Sequence, residues 1–417
     1  MTTVAAVGTY LPPWGSARGR VLGPDEDAVT LAVAAARAAL EQATPAGSAT
    51  APDVRRVVFV TRELPLLVGG NAAALLAGIG LPDDVPVVEQ VGGGPAVFDS
   101  LGGAEAGTLV IGVDAGESGP VGAAAALLAD GAGVGVEPVG RIVRSLPVHS
   151  RENGGGARDY SDARLERERG VGVAIERLEL TDKPVVVAGL PAKQARALCA
   201  GVPPTLPTTG ASAALFAVAA LAEVGAGGLV LAVEQGSATA LRVDGVPAVR
   251  RDSPALLAPE KLTRTPGPDI AISLAAYERA FDAKLRWDAG RCDACGTLAL
   301  PPRRRCLNCG SEDGWTLTPL PRTGEVYTVV TVHVPVPGLP TPYSLAIVQL
   351  DDVDVRALVK VTGAPAGTVQ IGDRGRLVLR RVAVRSGIPD YGYALYPDAA
   401  EYPDAATAAD AGEGAVR

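Results

Sequence analysis

Histidine is nearly absent from this chain of 417 residues, which holds two, His149 and His333. Cysteine is scarce as well: there are five, and none precedes Cys199. Residues 1–198 therefore have no thiol, which excludes covalent catalysis by a cysteine with a histidine base from that stretch. Ser100 and Ser212 do not fill the gap, because both lie in helical stretches with no histidine placed to activate them. No apolar run approaches the ~20 residues that span a bilayer. The opening "MTTVAAVGTYLPPWG" lacks the basic-then-apolar layout of a signal peptide, so the chain reads as cytoplasmic, with no membrane partner. Basic residues are in deficit, 38 against 46 acidic, and the net charge of -8 argues against nucleic acid as a partner.

Hydrophobic residues make up 47% of the chain, enough for sizeable cores in the two or three domains its length allows. Four of the five cysteines fall in one window, Cys292-x2-Cys295-x10-Cys306-x2-Cys309. Two CxxC knuckles across a short loop let four thiolates meet around one Zn2+. The alternative, a pair of disulfides, does not suit a reducing cytosol. Four protein sulfurs leave no open coordination position, so the expected zinc is structural.

Two segments 120 positions apart read almost alike, "AGTLVIGVDAG" at 106–116 and "AGGLVLAVEQG" at 226–236. Each is an apolar run of strand length preceded by a small-residue helical stretch, and upstream of each lies another buried-strand candidate, "VRRVVFVT" or "DKPVVVAG". The order strand, helix, strand, helix, strand is thus expected twice, and residues 1–245 read as a duplicated α/β unit whose sheets are buried on both faces. A Pro-rich, charged connector, 246–267, follows. Residues 268–318 supply a helix and the zinc knuckles, and 319–400 turn to β pattern with Gly, Pro and Asp turns, fitting a small closed barrel of the OB type. The tail, 401–417, has nothing to pack with and reads as disordered.

These motifs carry a resemblance. "DEDAVTLAVAAARAAL", residues 25–40, resembles the first long helix of the 3-hydroxy-3-methylglutaryl-CoA synthase branch of the thiolase superfamily, whose fold is a duplicated α/β unit. From the helix through "RCDACGTLALPPRRRCLNCGS", Trp315, "GEVYTVVTVH", Pro342 and Tyr343 to "VQIGDRGRLVL", the remainder is similar to the acyl-CoA-associated family that joins a rubredoxin-like zinc ribbon to an OB-fold. The resemblance implies a thiolase-like catalytic triad, and none of it is found. Gly94 stands closest to the nucleophile's place at the start of a central helix, Gly189 where a histidine is expected, and Thr208 where an asparagine is expected. Glu63 sits near the synthase branch's acid/base glutamate but has no acyl-enzyme to act on.

Other residues divide between a bland and a functional reading. Cys199, in "QARALCAG", reads as a small buried hydrophobe and His149 as a loop residue between the halves. His333 is either an ordinary barrel-strand residue or lines a channel for the acyl-pantetheine arm, with Tyr343 beside it. Arg303, Arg304 and Arg305 either neutralise CoA phosphates or form a solvated loop between metal ligands. The glycines at 92–94 offer backbone N–H groups to an anion or merely fill the space a nucleophile loop has vacated.

The expectation that follows is a non-catalytic thiolase-like chain fused to a zinc-ribbon/OB module, assembled as a dimer or larger hetero-oligomer with an active thiolase-fold subunit, and handling acyl-CoA. The competing expectation is an enzyme with a rearranged, cysteine-free site drawing on Glu63, Asp99, His149 or Tyr343, because a general base and an oxyanion hole suffice for aldol-type chemistry on a thioester.

Overall fold

The computed structural model describes residues 2–17, 19–44, 52–63, 67, 70–116, 119–131, 133–146, 148–151, 157–160, 162–245, 247–267, 273–334 and 338–398. The expected disordered tail lies outside these. The chain divides into two units: the first holds the residues up to Pro12, Gly19–Val21 and Leu31–Pro254, and the second holds Pro13–Arg18, Leu22–Thr30 and the residues from Ala255 onward.

In the first unit, β1 (Thr2–Tyr10), α1 (Ala28–Ala43), β2 (Arg56–Thr61), α2 (Ala72–Ile79), β3 (Val87–Val91), α3 (Gly94–Gly102), β4 (Thr108–Asp114) and β5 (Gly122–Asp130) form the first half. The second half comprises β6 (Val134–Ile142), a hairpin of β7 (His149–Arg151) and β8 (Ala157–Asp159), α4 (Gly172–Arg177), β9 (Val186–Ala188), α5 (Ala192–Leu198), α6 (Ala211–Glu223), β10 (Gly228–Glu234) and β11 (Ser237–Asp244). Strand order is β3-β2-β4-β5-β1 in the first half and β9-β10-β11-β6 in the second. The two orders are the same plan with one strand missing, which is the duplicated, thiolase-like arrangement.

The missing strand is the counterpart of β3, and the reason is chemical. Between α5 and α6 the chain reads "CAGVPPTLPTTG", and Pro203, Pro204 and Pro207 have no N–H to give to a ladder. The helix α6, "ASAALFAVAALAE", is apolar on every side, so it can only be buried. With Val97, Phe98 and Leu101 of α3, it shares one core with inward residues of both halves, among them Val58, Val110, Val230 and Leu241. Leu229, Leu231 and Val233 point the other way and pack with Val187, Ala195 and Cys199, so the second half of the continuous ten-stranded sheet is buried on both faces. Residues 248–252, expected within the connector, instead form β12 (Ala248–Asp252), which runs parallel to β1.

The second unit contains α7 (Leu274–Phe281), a three-stranded sheet of β13 (Asp288–Cys292), β14 (Leu298–Ala299) and β15 (Trp315–Pro319), and a closed barrel. The barrel is built from β16 (Thr323–Val332), β17 (Tyr343–Leu350), β18 (Arg356–Val361), β19 (Arg374–Arg385) and β20 (Ile388–Pro397). Alternation along β17 puts Ser344, Ala346, Val348 and Leu350 inside, the pattern a barrel strand requires. An unexpected component comes from the far end of the sequence. Asp25, Glu26 and Asp27, read as the start of a helix, precede α1 and belong to this unit: the Arg381 N–H donates to the Asp25 carbonyl at 2.9 Å, and the Tyr391 hydroxyl donates to Asp27 at 2.9 Å.

Candidate functional site

Gly94, Gly189 and Thr208 all lie in the first unit. Gly94 opens α3, and a Cβ there would lie 3.5 Å from the Gly210 carbonyl at the start of α6. The first turn of a helix presents unpaired N–H groups and a positive dipole end, which in thiolase-type chemistry stabilises a cysteine thiolate. Carboxylates of the chain itself reach both helix starts. Asp114, at the end of β4, accepts the N–H groups of Ala211 and Ser212 at 2.8 and 3.1 Å and the Ser212 hydroxyl at 2.6 Å. Glu234, at the end of β10, accepts the Gly93 N–H at 2.8 Å and pairs with Arg62 at 2.5 Å. Each half thus caps the central helix of the other. Burial pushes the Asp114 carboxyl above its ordinary range, against the hydrogen bonds that draw it down.

Thr208 is buried with its hydroxyl 2.7 Å from that of Ser212, so it belongs to the same cap. Gly189 has φ +103°, and a Cβ there would lie 1.9 Å from the Val233 carbonyl. No histidine can stand at that position without moving β10. The two capping acids were overlooked in the sequence, yet the signal is there: Asp114 and Glu234 occupy the same place in the two near-identical runs. A Gly94→Cys variant is therefore expected to fold, with the Ala232 side chain yielding slightly, and to form no acyl-enzyme. Intact-mass spectrometry after incubation with acyl-CoA checks this; an added acyl mass on the introduced thiol would refute the view that the capping carboxylates close the site.

The other acid and base candidates are committed or scattered. Asp99 accepts from Thr239 at 2.8 Å and pairs with Arg141 at 2.6 Å. His149 sits in the β7–β8 hairpin rather than in a loop, paired by register with Asp159. Glu63 follows shortly after β2, its N–H donating to the Thr61 hydroxyl at 3.3 Å. Cys199 ends α5 as a buried apolar residue, its thiol pushed up by burial.

In the second unit the four cysteines converge, their sulfurs all within 4.8 Å of one another. Cys292 and Cys309 are 3.8 Å apart, and Cys295 and Cys306 are 3.6 Å apart. A tetrahedron of ~2.3 Å zinc–sulfur bonds has edges of about 3.8 Å, so the set fits the metal. Both knuckles close identically: the Gly296 N–H donates to the Cys292 carbonyl, the Gly310 N–H to that of Cys306, and each glycine has positive φ. The Thr297 hydroxyl and N–H draw the Cys295 thiol down to about 6, while Cys309, despite the Ser311 N–H, is pushed up to about 12 by the neighbouring sulfurs. Four sulfurs at this spacing cannot all ionise without a cation among them. Arg303 and Arg304 line an exposed groove of about 530 Å³ beside Cys292, Cys306 and Trp315, and Arg305 donates to the Gly310 carbonyl at 3.3 Å.

A cleft of about 390 Å³ opens on the barrel, lined by Tyr343, Lys360 and Arg381 with Arg264, Glu260, Asp25 and Trp14. Tyr343 is thus placed in a cavity, whereas His333, just past β16, is exposed and does not line it. The Lys360 ammonium lies 5.4 Å from the centre of the Tyr343 ring and donates to the Val382 carbonyl at 2.9 Å. Burial pushes this lysine down and pushes Glu260 up.

The ribbon and barrel segments have known relatives. Residues 286–313 match the family described as ChsH2, rubredoxin-like zinc ribbon domain, and residues 317–380 match ChsH2, C-terminal OB-fold domain. The chain is 31% identical over 104 residues to the benzoylsuccinyl-CoA thiolase subunit BbsA of Thauera aromatica, covering 25% of this chain and 70% of the relative. It is 37% identical over 83 residues to a probable enoyl-CoA hydratase alpha subunit of Thermomonospora curvata, 20% of this chain and 25% of that relative's length. Among solved structures, an OleA variant of Xanthomonas campestris matches 58% of this chain and 98% of its own, at 14% identity and a TM-score of 0.46. No helix among the described residues is long and apolar enough to cross a membrane.

Proposed function

The chain belongs to the family of ChsH2-like and BbsA-like zinc-ribbon/OB-fold proteins, and we propose that it is the non-catalytic auxiliary subunit of an acyl-CoA-processing assembly. The observation that carries this reading is the start of α3, where Gly94 has no side chain and Glu234 of the chain itself accepts the N–H of the adjacent Gly93. In this reading the thiolase-like unit supplies a dimerising scaffold and the partner, an active thiolase-fold subunit, supplies the cysteine. Two relatives are named as subunits of CoA-dependent enzymes, one of them of a thiolase, which supports the class of partner and of ligand. Structural zinc on Cys292, Cys295, Cys306 and Cys309 holds the ribbon. Tyr343, with Arg303–Arg305 and His333, is the proposed acyl-CoA contact set. We also assign the first unit to the 3-hydroxy-3-methylglutaryl-CoA synthase branch, on the sequence of residues 25–40 alone, and place the assembly in the cytoplasm.

A second reading, an enzyme in its own right, draws on the barrel cleft, where Glu260 with its raised carboxyl, Lys360 with its lowered ammonium and Tyr343 are available proton carriers. One experiment separates the two. Acyl-CoA turnover is followed by mass spectrometry for the purified chain alone and then with a candidate thiolase-fold partner. The auxiliary reading expects turnover only with the partner, unchanged by Cys199→Ala here and abolished by loss of the partner's nucleophilic cysteine. Turnover by the chain alone would overturn it.

A further inference from the structure

We propose that the barrel cleft is an anion site, in which Arg264, Lys360 and Arg381 hold the carboxylate or phosphate end of an acyl ligand while its apolar body lies against Trp14 and Tyr343. The inference deepens the reading of this chain as an acyl-CoA-handling protein, and needs no partner protein to be true.

Cations outnumber carboxylates in the lining of this cleft, three to two. Three cationic side chains line it in a chain whose net charge is -8. Among the described residues no carboxylate lies within ion-pair distance of Arg264 or Lys360, and Arg381 reaches only Asp27, at 4.0 Å. Of the two carboxylates in the lining, Glu260 accepts the Ala366 N–H at 2.7 Å, and Asp25, 3.9 Å from the buried Arg380, reaches Lys360 only through its longer-range field. An ammonium has three protons to donate, and that of Lys360 commits one, to the Val382 carbonyl. Holding a half-buried cation with no carboxylate in ion-pair contact is unfavourable, and an anionic ligand would supply that contact. An anion bridging ammonium and guanidinium groups would gain charge-assisted hydrogen bonds of the strong kind.

The walls set the rest of the ligand. Leu262, Pro342 and Val382 stand with Trp14 and Tyr343 around the cations, so an anionic end and an apolar body are matched in one cavity. Its size of about 390 Å³ falls within the range of small-molecule sites. Two sources offer this chemistry: a second, free carboxylate on the acyl group, or the phosphates of CoA.

The test uses the full-length, zinc-loaded chain and calorimetric titration with two probes, glutarate and adenosine 3′,5′-bisphosphate. Saturable binding of glutarate, weakened about tenfold or more in Lys360→Met and in Arg264→Met, identifies the carboxylate as the ligand end. The same pattern with the bisphosphate identifies the CoA phosphates. Arg264 is exposed, so its substitution leaves the fold intact and keeps the test informative if Lys360→Met is unstable. Binding of neither probe, or binding that both variants leave unchanged, overturns the proposal. Partner-dependent turnover is a separate readout, so the auxiliary reading can fail while the anion site stands.

Discussion

Removing the metal is expected to unfold the ribbon and leave the barrel standing. The residues around the knuckles have almost no core of their own: Ala289 and Cys292 are buried, but Cys295 and Cys309 are exposed and Leu307 is 78% exposed. The backbone bonds that close the knuckles each span one CxxC turn, too local to hold the two knuckles against each other. Across the knuckles the Asn308 side-chain N–H donates to the Thr297 hydroxyl at 3.1 Å, and a metal on the four sulfurs would supply far more, since structural zinc in small modules contributes about 10–16 kcal/mol of apparent binding energy at neutral pH. The barrel has an apolar interior independent of the metal, including Val326, Val348, Leu350, Leu377 and Leu395. Chelation, or Cys306→Ser, should therefore abolish a stoichiometry of one zinc per chain. It should also strip amide protection from the segment between Gly290 and Gly314, while the strands from Thr323 onward keep theirs. Hydrogen exchange with metal analysis checks both, and a ribbon that stays protected without metal would refute the structural role.

What the sequence made legible is what is local. The cysteine spacing specifies the knuckles by itself, because each knuckle closes within a few residues. The apolar runs at Thr108–Asp114 and Gly228–Glu234 announce buried strands by composition, and the period-two pattern of the barrel strands announces a surface with one face inside. What stayed hidden depends on partners far apart in the chain. Asp25–Asp27 look like the start of a helix because they precede one, and only the fold brings them to β19 and β20, with Asp27 and Tyr391 separated by 364 positions. The missing strand of the second half was readable from Pro203, Pro204 and Pro207, but the force of the repeat argued for symmetry there. The helix caps Asp114 and Glu234 were visible as matched acids, without any sign that each serves the opposite half. The cleft draws Trp14, Glu260, Tyr343, Lys360 and Arg381 from separate segments, so no motif could mark it, and His333, near its wall in sequence, falls outside.

Glu26→Ala is expected to destabilise the second unit by about 3–5 kcal/mol, the cost of leaving one member of a buried ion pair without its partner. Glu26 and Arg380 have side chains 1% and 2% exposed, with their charged atoms 3.2 Å apart. Arg380 is further held by the Thr362 hydroxyl at 3.2 Å and the Leu379 carbonyl at 3.1 Å, but no neutral acceptor replaces a carboxylate in compensating a buried guanidinium. Asp25 gives a contrast on the same arginine: it is more exposed, at 19%, and lies 3.9 Å away, so Asp25→Ala should cost no more than about 1 kcal/mol. Denaturant unfolding followed by tryptophan fluorescence reports on this unit, which contains Trp14, Trp287 and Trp315. The decisive variant is the double substitution Glu26→Ala with Arg380→Met, because removing both charges removes the unpaired guanidinium and should recover most of the loss. Equal destabilisation by Glu26→Ala and Asp25→Ala, or no recovery in the double variant, would show that the buried pair is not what fastens this segment. If the pair behaves as expected, residues 22–30 are as much a part of the barrel's fold as β19, and a fragment beginning at Ala255 carries Arg380 without the Asp25 and Glu26 carboxylates.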